Sequence, residues 1–177
     1  MAQNELITEQ INKLISLFSS GEIKKTLQIA ESLAIKYSEN AILHNIIGAC
    51  YAALNLYHKS ILAYQKSISI HPEYVEAHFN LGLAYQDLGN LDESLKSYKN
   101  AISFKPDYSE AHNNLGNIFK ALGSIENSIE SYQNAIKFND EYFEAHYNLG
   151  DLYQGLNQPN LAIKYFEKVL LFKPNFA

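Results

Sequence analysis

Four stretches of this chain repeat one another at a constant interval: Ala41-Ile-Leu-His-Asn-Ile-Ile-Gly48, Val75-Glu-Ala-His-Phe-Asn-Leu-Gly82, Ser109-Glu-Ala-His-Asn-Asn-Leu-Gly116 and Phe143-Glu-Ala-His-Tyr-Asn-Leu-Gly150. A fixed period of this length marks an array in which one supersecondary unit is stacked on copies of itself. Such a chain builds its core between neighbouring units, and it offers ligands an extended surface rather than an enclosed pocket. The period therefore says more about how the chain binds than about what it binds.

Within each unit the local signals fall in one order. In the second, Ala77, Leu81, Ala84, Tyr85 and Leu88 lie on one helix face, and Gly89 suits the left-handed residue that ends a helix. Asn90 with Glu93 reads as a capping box for a second helix, which carries Leu91, Leu95, Tyr98, Ala101 and Ile102 and stops at Pro106. The other units repeat this with Asn55, Ile61, Tyr64, Ser67 and Pro72, then Gly123, Ser124, Ile129, Tyr132 and Ala135, then Asn157, Ala162, Phe166, Val169 and Pro174. The spacing predicts helices over 42–54, 58–70, 76–88, 92–104, 110–122, 126–138, 144–156 and 160–172, with two more before residue 37 and no strands.

These residues closely resemble the tetratricopeptide repeat (TPR) family. Its Leu-Gly pair recurs as Leu81-Gly82, Leu115-Gly116 and Leu149-Gly150, with Ile47-Gly48 in the first full unit. Its next aromatic recurs as Tyr51, Tyr85, Phe119 and Tyr153, and its small residue as Ser60, Ser94, Ser128 and Ala162. His44, His78, His112 and His146 stand where the family usually has Trp, and Asp140 replaces a Pro. The resemblance implies an all-α, right-handed superhelical solenoid filling residues 1–177 as a single array. Its full units are 41–74, 75–108, 109–142 and 143–176. Residues 7–40 resemble a degenerate capping unit: Ile7, Ile11, Leu14, Ile15 and Phe18 form one stripe, and Leu27, Ala30, Leu33 and Ala34 another, with Lys13-Leu14 in place of Leu-Gly.

Composition narrows the function classes. The chain is 47% hydrophobic with a net charge of −5, and no Lys/Arg run supplies an electrostatic footprint for nucleic acid. The N-terminus lacks the order of a signal peptide, and no apolar run reaches membrane-spanning length, so a cytoplasmic location is expected. One cysteine, Cys50, falls on a buried helix face and rules out a disulfide framework.

The repeated residues are read against chemistry as follows. Histidines at equivalent points of stacked units stand about 8–10 Å apart, too far to share a metal bound at about 2 Å, so each is expected to pack and bond to backbone. Gly48, Gly82, Gly116 and Gly150 lie inside helices at a cost of about 1 kcal/mol each relative to alanine, offset by close approach of the paired helix. No nucleophile, base and orienting group come together, so no enzyme activity, cofactor or metal is expected.

Asn80, Asn114 and Asn148 precede the Leu-Gly pairs, and the TPR resemblance places that position on the concave groove. An amide offers an acceptor and two donors, enough to hold a peptide C=O and N–H together whatever the peptide's side chains. The ladder is similar to that in the TPR arm of O-linked N-acetylglucosamine transferase; the other reading is that these amides bond within the array. The same geometry adds Phe79, Asn113, Tyr147, Leu83, Asn117, Asp151, Gln86, Lys120 and Gln154 to the groove, with Glu76, Glu110 and Glu144 at its edge. Lys120 is the only cation among them, which argues against a clamp for a carboxylate terminus.

The resemblance thus implies a non-catalytic scaffold that binds an extended peptide or partner segment of another protein. The alternative is the N-terminal arm of a bacterial glycosyl-, sulfo- or methyltransferase. Phe176-Ala177 reads as the start of another unit. The last helix, with Leu161, Phe166, Val169, Leu170 and Phe172, is expected to present an uncovered apolar face through which the chain associates, with another copy or with further sequence.

Overall fold

A computed structural model describes residues 2–173; Pro174 and Phe176-Ala177 lie outside them. The described residues form ten helices and no strand: α1 (Ala2–Ser19), α2 (Ile23–Lys36), α3 (Ala41–Ala53), α4 (Tyr57–Ile70), α5 (Val75–Asp87), α6 (Leu91–Phe104), α7 (Ser109–Ala121), α8 (Ile125–Phe138), α9 (Phe143–Gly155) and α10 (Pro159–Phe172). Each helix of the four full units begins and ends within one residue of its expected position.

Repetition also governs the turns. Gly21, Asn55, Gly89, Gly123 and Asn157 recur once per repeat, and all have positive φ, from 56 to 81°. Only Gly, or Asn among the larger residues, takes this conformation readily, so one residue type per unit closes the first helix and starts the second. Start signals are less uniform. Asn40 caps α3 by accepting from the Leu43 N–H at 3.0 Å, but Ser124 gives α8 no side-chain cap. Its hydroxyl instead accepts from the Asn127 side-chain amide at 2.8 Å, which corrects the expectation drawn from the capping pattern.

The chain gathers into two compact units, residues 1–97 and 98–177, with the boundary inside α6. In the first, Ile7, Ile11 and Leu14 of α1 and Ala30 of α2 share a cluster with Leu43, Ile46, Ile47 and Cys50 of α3. Ile15, expected in the same stripe, is 49% exposed. A second cluster joins Ile61 and Tyr64 of α4 to Leu81 and Ala84 of α5. In the second unit, Tyr132 of α8 meets Leu149 and Leu152 of α9. Each of these aromatic rings contributes about 1.5–3 kcal/mol by leaving water.

The intrahelical glycines make room for those rings. A Cβ on Gly48 would lie 2.5 Å from Tyr64, one on Gly116 2.6 Å from Tyr132, and one on Gly150 2.8 Å from Phe166. Helix pairs are further tied where Ser94 donates to the Gly82 carbonyl and Ser128 to the Gly116 carbonyl, each at 2.9 Å. The degenerate first unit solves the same packing the other way round. Leu14 occupies the glycine position and Ala30 the aromatic one, and both are fully buried. Large and small have changed places, which conserves the filled volume.

Candidate peptide-binding face

The four equivalent histidines are structural. Nε2 of His44, His78, His112 and His146 donates to the carbonyls of Ser38, Pro72, Pro106 and Asp140, each at 2.8 Å. Each bond ties the first helix of a unit to the loop six residues upstream and engages one ring nitrogen of the histidine. Asp140 serves as well as the prolines because only its carbonyl is used. His112 also stacks on Phe138, with ring centroids 5.3 Å apart.

Most of the asparagines nominated from sequence hydrogen-bond one another. Asn80 donates to the Asn45 Oδ1 at 3.1 Å, and Asn148 to the Asn113 Oδ1 at 2.9 Å. Asn45 in turn reaches the Tyr74 hydroxyl at 3.5 Å. Asn114 makes no equivalent bond to an earlier repeat among those the structure gives; it accepts from the amide of Asn113 at 3.5 Å. The origin of this unevenness is visible in the sequence. Asn45, Phe79, Asn113 and Tyr147 stand at one position of successive repeats, so amide and aromatic alternate there from one repeat to the next. Asn45 was missed as a member of the face, and that alternation is the signal that marks it.

Placement separates the nominated residues by compact unit. Phe79, Asn80, Leu83 and Gln86 belong to the first and are all half-buried. The second unit holds Asn113, Asn114, Asn117, Lys120, Tyr147, Asn148, Asp151 and Gln154. Asn113, expected on an open groove, is only 4% exposed and is taken up by its neighbours. Asn117 accepts from the Tyr132 hydroxyl at 2.7 Å, which holds the aromatic ring against Gly116. Tyr147 is 42% exposed and leans on Phe166, their centroids 5.9 Å apart.

Lys120 and Asp151 pair at 2.5 Å between α7 and α9. With Gln154, Leu152 and Ile125 they line an open hollow of about 580 Å³. The cation is therefore already matched by an acid. A second hollow of about 600 Å³, not anticipated from sequence, lies among α2, α3 and α4. Its rim carries Ile35 and Leu62, 86% and 66% exposed.

Phenols and the thiol behind these surfaces are held neutral. Burial pushes Tyr132 up to about 12, with Asp151 adding to the effect, and pushes the Cys50 thiol up to about 11. Tyr142 is likewise raised to about 12, by burial first and then by Glu144 and Glu110. No described helix is long and apolar enough to cross a membrane.

Comparison with known proteins bears on this arrangement. Family profiles described as TPR repeat match residues 48–89, 84–123 and 116–157, and one described as tetratricopeptide repeat matches 143–176. No curated protein matches the chain in sequence. Among solved structures, MamA from Desulfovibrio magneticus RS-1 superposes with a TM-score of 0.83 at 18% identity, covering 93% of this chain and 93% of that one. TTC0263, a thermophilic TPR protein of Thermus thermophilus, gives 0.77 at 19% identity over 96% and 92% of the two chains. YrrB, described as a TPR protein with an unusual peptide-binding site, gives 0.75 at 18% identity over 99% and 94%. At these identities the likeness is one of fold.

Proposed function

The chain belongs to the tetratricopeptide repeat family, and from that premise we propose that it is a non-catalytic scaffold holding an extended segment of a partner protein. The observation that carries this reading is the Asn148–Asn113 bond at 2.9 Å, matched in the first unit by Asn80–Asn45. Each donation uses one N–H of the outer amide and fixes its orientation. The carbonyl oxygen and second N–H of Asn80 and Asn148 remain for a peptide backbone. An amide held in place by its neighbour loses less entropy on binding than a free one.

The partner's side chains would then be read by neighbours of differing chemistry. Phe79 supplies apolar contact in the first unit and Tyr147 in the second, while Lys120, Asp151 and Gln154 offer a polar hollow. YrrB, which shares the fold, is described as having a peptide-binding site, and a peptide ligand suits the amide chemistry here.

Selection of unstructured peptides displayed on phage against the full chain supplies ligands for the test. Replacing Asn80, Asn114 and Asn148 together by alanine should weaken unrelated selected peptides by similar factors. Phe79→Ala or Tyr147→Ala should instead change which peptides bind. Peptides that bind the triple variant as tightly as the parent would make the amides purely structural and end this reading.

A further inference from the structure

The hollow among α2, α3 and α4 departs from the repeat at the surface. Ile35 and Leu62 line it from successive second helices, and both are largely exposed. One repeat on, the same two positions carry Ser69 and Lys96, then Ser103 and Glu130, then Lys137 and Lys164. Each later pair is polar, as a solvated surface favours, and the pair at the hollow is apolar. Packed helices lie on both sides of it in the chain: α1 contacts α2, and α5 contacts α4. Its exposure is therefore a choice of residues within the array. On α10, by contrast, Val169, expected on an open face, is 2% exposed and belongs to the interior.

Charge is distributed unevenly around the same hollow. α2 and α4 carry Lys24, Lys25, Lys36, Lys59 and Lys66 against a single acid, Glu31, in a chain whose net charge is −5. On α6, Asp92 and Glu93 balance Lys96 and Lys99, and on α8 Glu126 and Glu130 outnumber Lys137. Glu31 itself is taken up by the Tyr51 hydroxyl at 2.5 Å. Lys59 rests over the Tyr51 ring, 5.4 Å from its centroid, and Lys66 reaches Glu39 at 3.3 Å. Exposed contacts of this kind are weak and exchange readily for another carboxylate. Lys59, Leu62 and Lys66 stand at i, i+3 and i+7 on α4. They form one stripe about 10 Å long, with the apolar residue between two cations.

We propose that this hollow docks an acidic amphipathic helix of another protein. Two carboxylates seven residues apart meet Lys59 and Lys66, and the large apolar side chains between them enter beside Ile35 and Leu62. A helix laid along α4 repeats the spacing of the stripe, so both charges and the apolar contact can be met at once. An extended segment fits less well. About 10 Å of strand is three residues, and side chains three apart on a strand point to opposite faces. The surface is separate from the amide face of the first unit, because Asn45, Phe79 and Asn80 do not line the hollow.

The probe is a fluorescent, helix-stapled peptide built on Glu-Ala-Ala-Leu-Leu-Ala-Ala-Glu, into which the full chain is titrated. It should bind, and its version with glutamine for both glutamates should bind about tenfold more weakly, two exposed charge pairs being lost. Added salt should weaken the acidic peptide more than the glutamine one. Ile35→Ser with Leu62→Lys installs the residues of the next junction and should abolish binding, although it adds a positive charge. Lys59→Glu with Lys66→Glu should instead favour a peptide with lysine in place of both glutamates. Replacing Asn80, Asn114 and Asn148 by alanine should leave binding unchanged. The four residues altered at the hollow are exposed, so circular dichroism of these variants should match the parent. Absence of binding, equal binding of the acidic and glutamine peptides, or binding retained by the Ile35 and Leu62 double variant would overturn the proposal. So would a charge preference unmoved by the two lysine reversals, or binding lost with the three asparagines. Two other results would give the hollow a different occupant and overturn it as well. One is a parent chain that binds phosphatidylserine vesicles, the other a parent chain that sediments as a dimer, each undone by Ile35→Ser with Leu62→Lys.

Discussion

At the scale of single residues, the glycines separate into those that make room and those that do not. Gly116 lies against the fully buried Tyr132 ring, whose hydroxyl is fixed on Asn117, so the ring cannot swing away from an added methyl group. Gly116→Ala should lower stability by about 1–3 kcal/mol, the usual cost of overpacking a close contact. Gly155, at the end of α9, has nothing within 4 Å of the same added atom. Gly155→Ala should therefore raise stability by up to about 1 kcal/mol through helix propensity. Denaturant midpoints of the two variants, moving in opposite directions, are the measurement. Cys50 is fully buried with its thiol pushed up to about 11, so it should react with an aromatic disulfide reagent only after unfolding. Rapid labelling of the native chain at neutral pH would contradict that placement.

At the scale of helices, the units are closed by a few directional bonds laid over apolar packing. Ser128 joins α8 to the carbonyl of Gly116 on α7. The equivalent residue in the last repeat is Ala162, which is 3% exposed, so the packing tolerates loss of the hydroxyl but leaves a carbonyl without its partner. Ser128→Ala should cost about 0.5–1.5 kcal/mol, well below Gly116→Leu, where a whole side chain enters the same contact. Gly116→Leu should also raise hydrogen exchange first in α7 and α8, and in α1 and α2 least, because stacked repeats are stabilised chiefly by their own packing and their neighbours'. Equal loss of protection in all ten helices would show a more cooperative chain than its contacts imply. This much was legible beforehand: the helix ends followed from apolar period and turn residues, both local, and the histidine bonds followed from a large ring needing a partner for its N–H. Ser124 was misjudged because a nearby Asn127 competes for the same hydroxyl.

At the scale of the molecule, buried phenols link stability to pH. Tyr132 ionises near 10.0 when free and near 12 when folded, and Tyr142 is raised similarly. Between those values the unfolded chain releases protons that the folded chain keeps. Stability from this source is therefore complete below pH 10 and falls as pH rises through 12. For the fully buried Tyr132 the loss amounts to roughly 2–3 kcal/mol. Unfolding midpoints should begin to fall above about pH 9, where the raised Cys50 thiol contributes, and drop more steeply above pH 10, and Tyr132→Phe should flatten part of the steeper drop. A midpoint indifferent to pH 11 would mean that these rings are wetter than their packing shows.

The repeat period by itself determined the helices, the left-handed turn of each unit, and the glycine contacts with the paired helix, because each rests on residues close in sequence or on a pattern repeated in every unit. It also marked which residues share a face. Which neighbour each side chain chooses was decided only by the tertiary structure. Asn80 with Asn45, Asn148 with Asn113 and Lys120 with Asp151 each join residues about one repeat apart. The exchange of large and small at Leu14 and Ala30 was hidden for a related reason. A period assigns every unit the same positions, whereas hydrogen bonds and filled volume depend on the particular pair that meets across each junction.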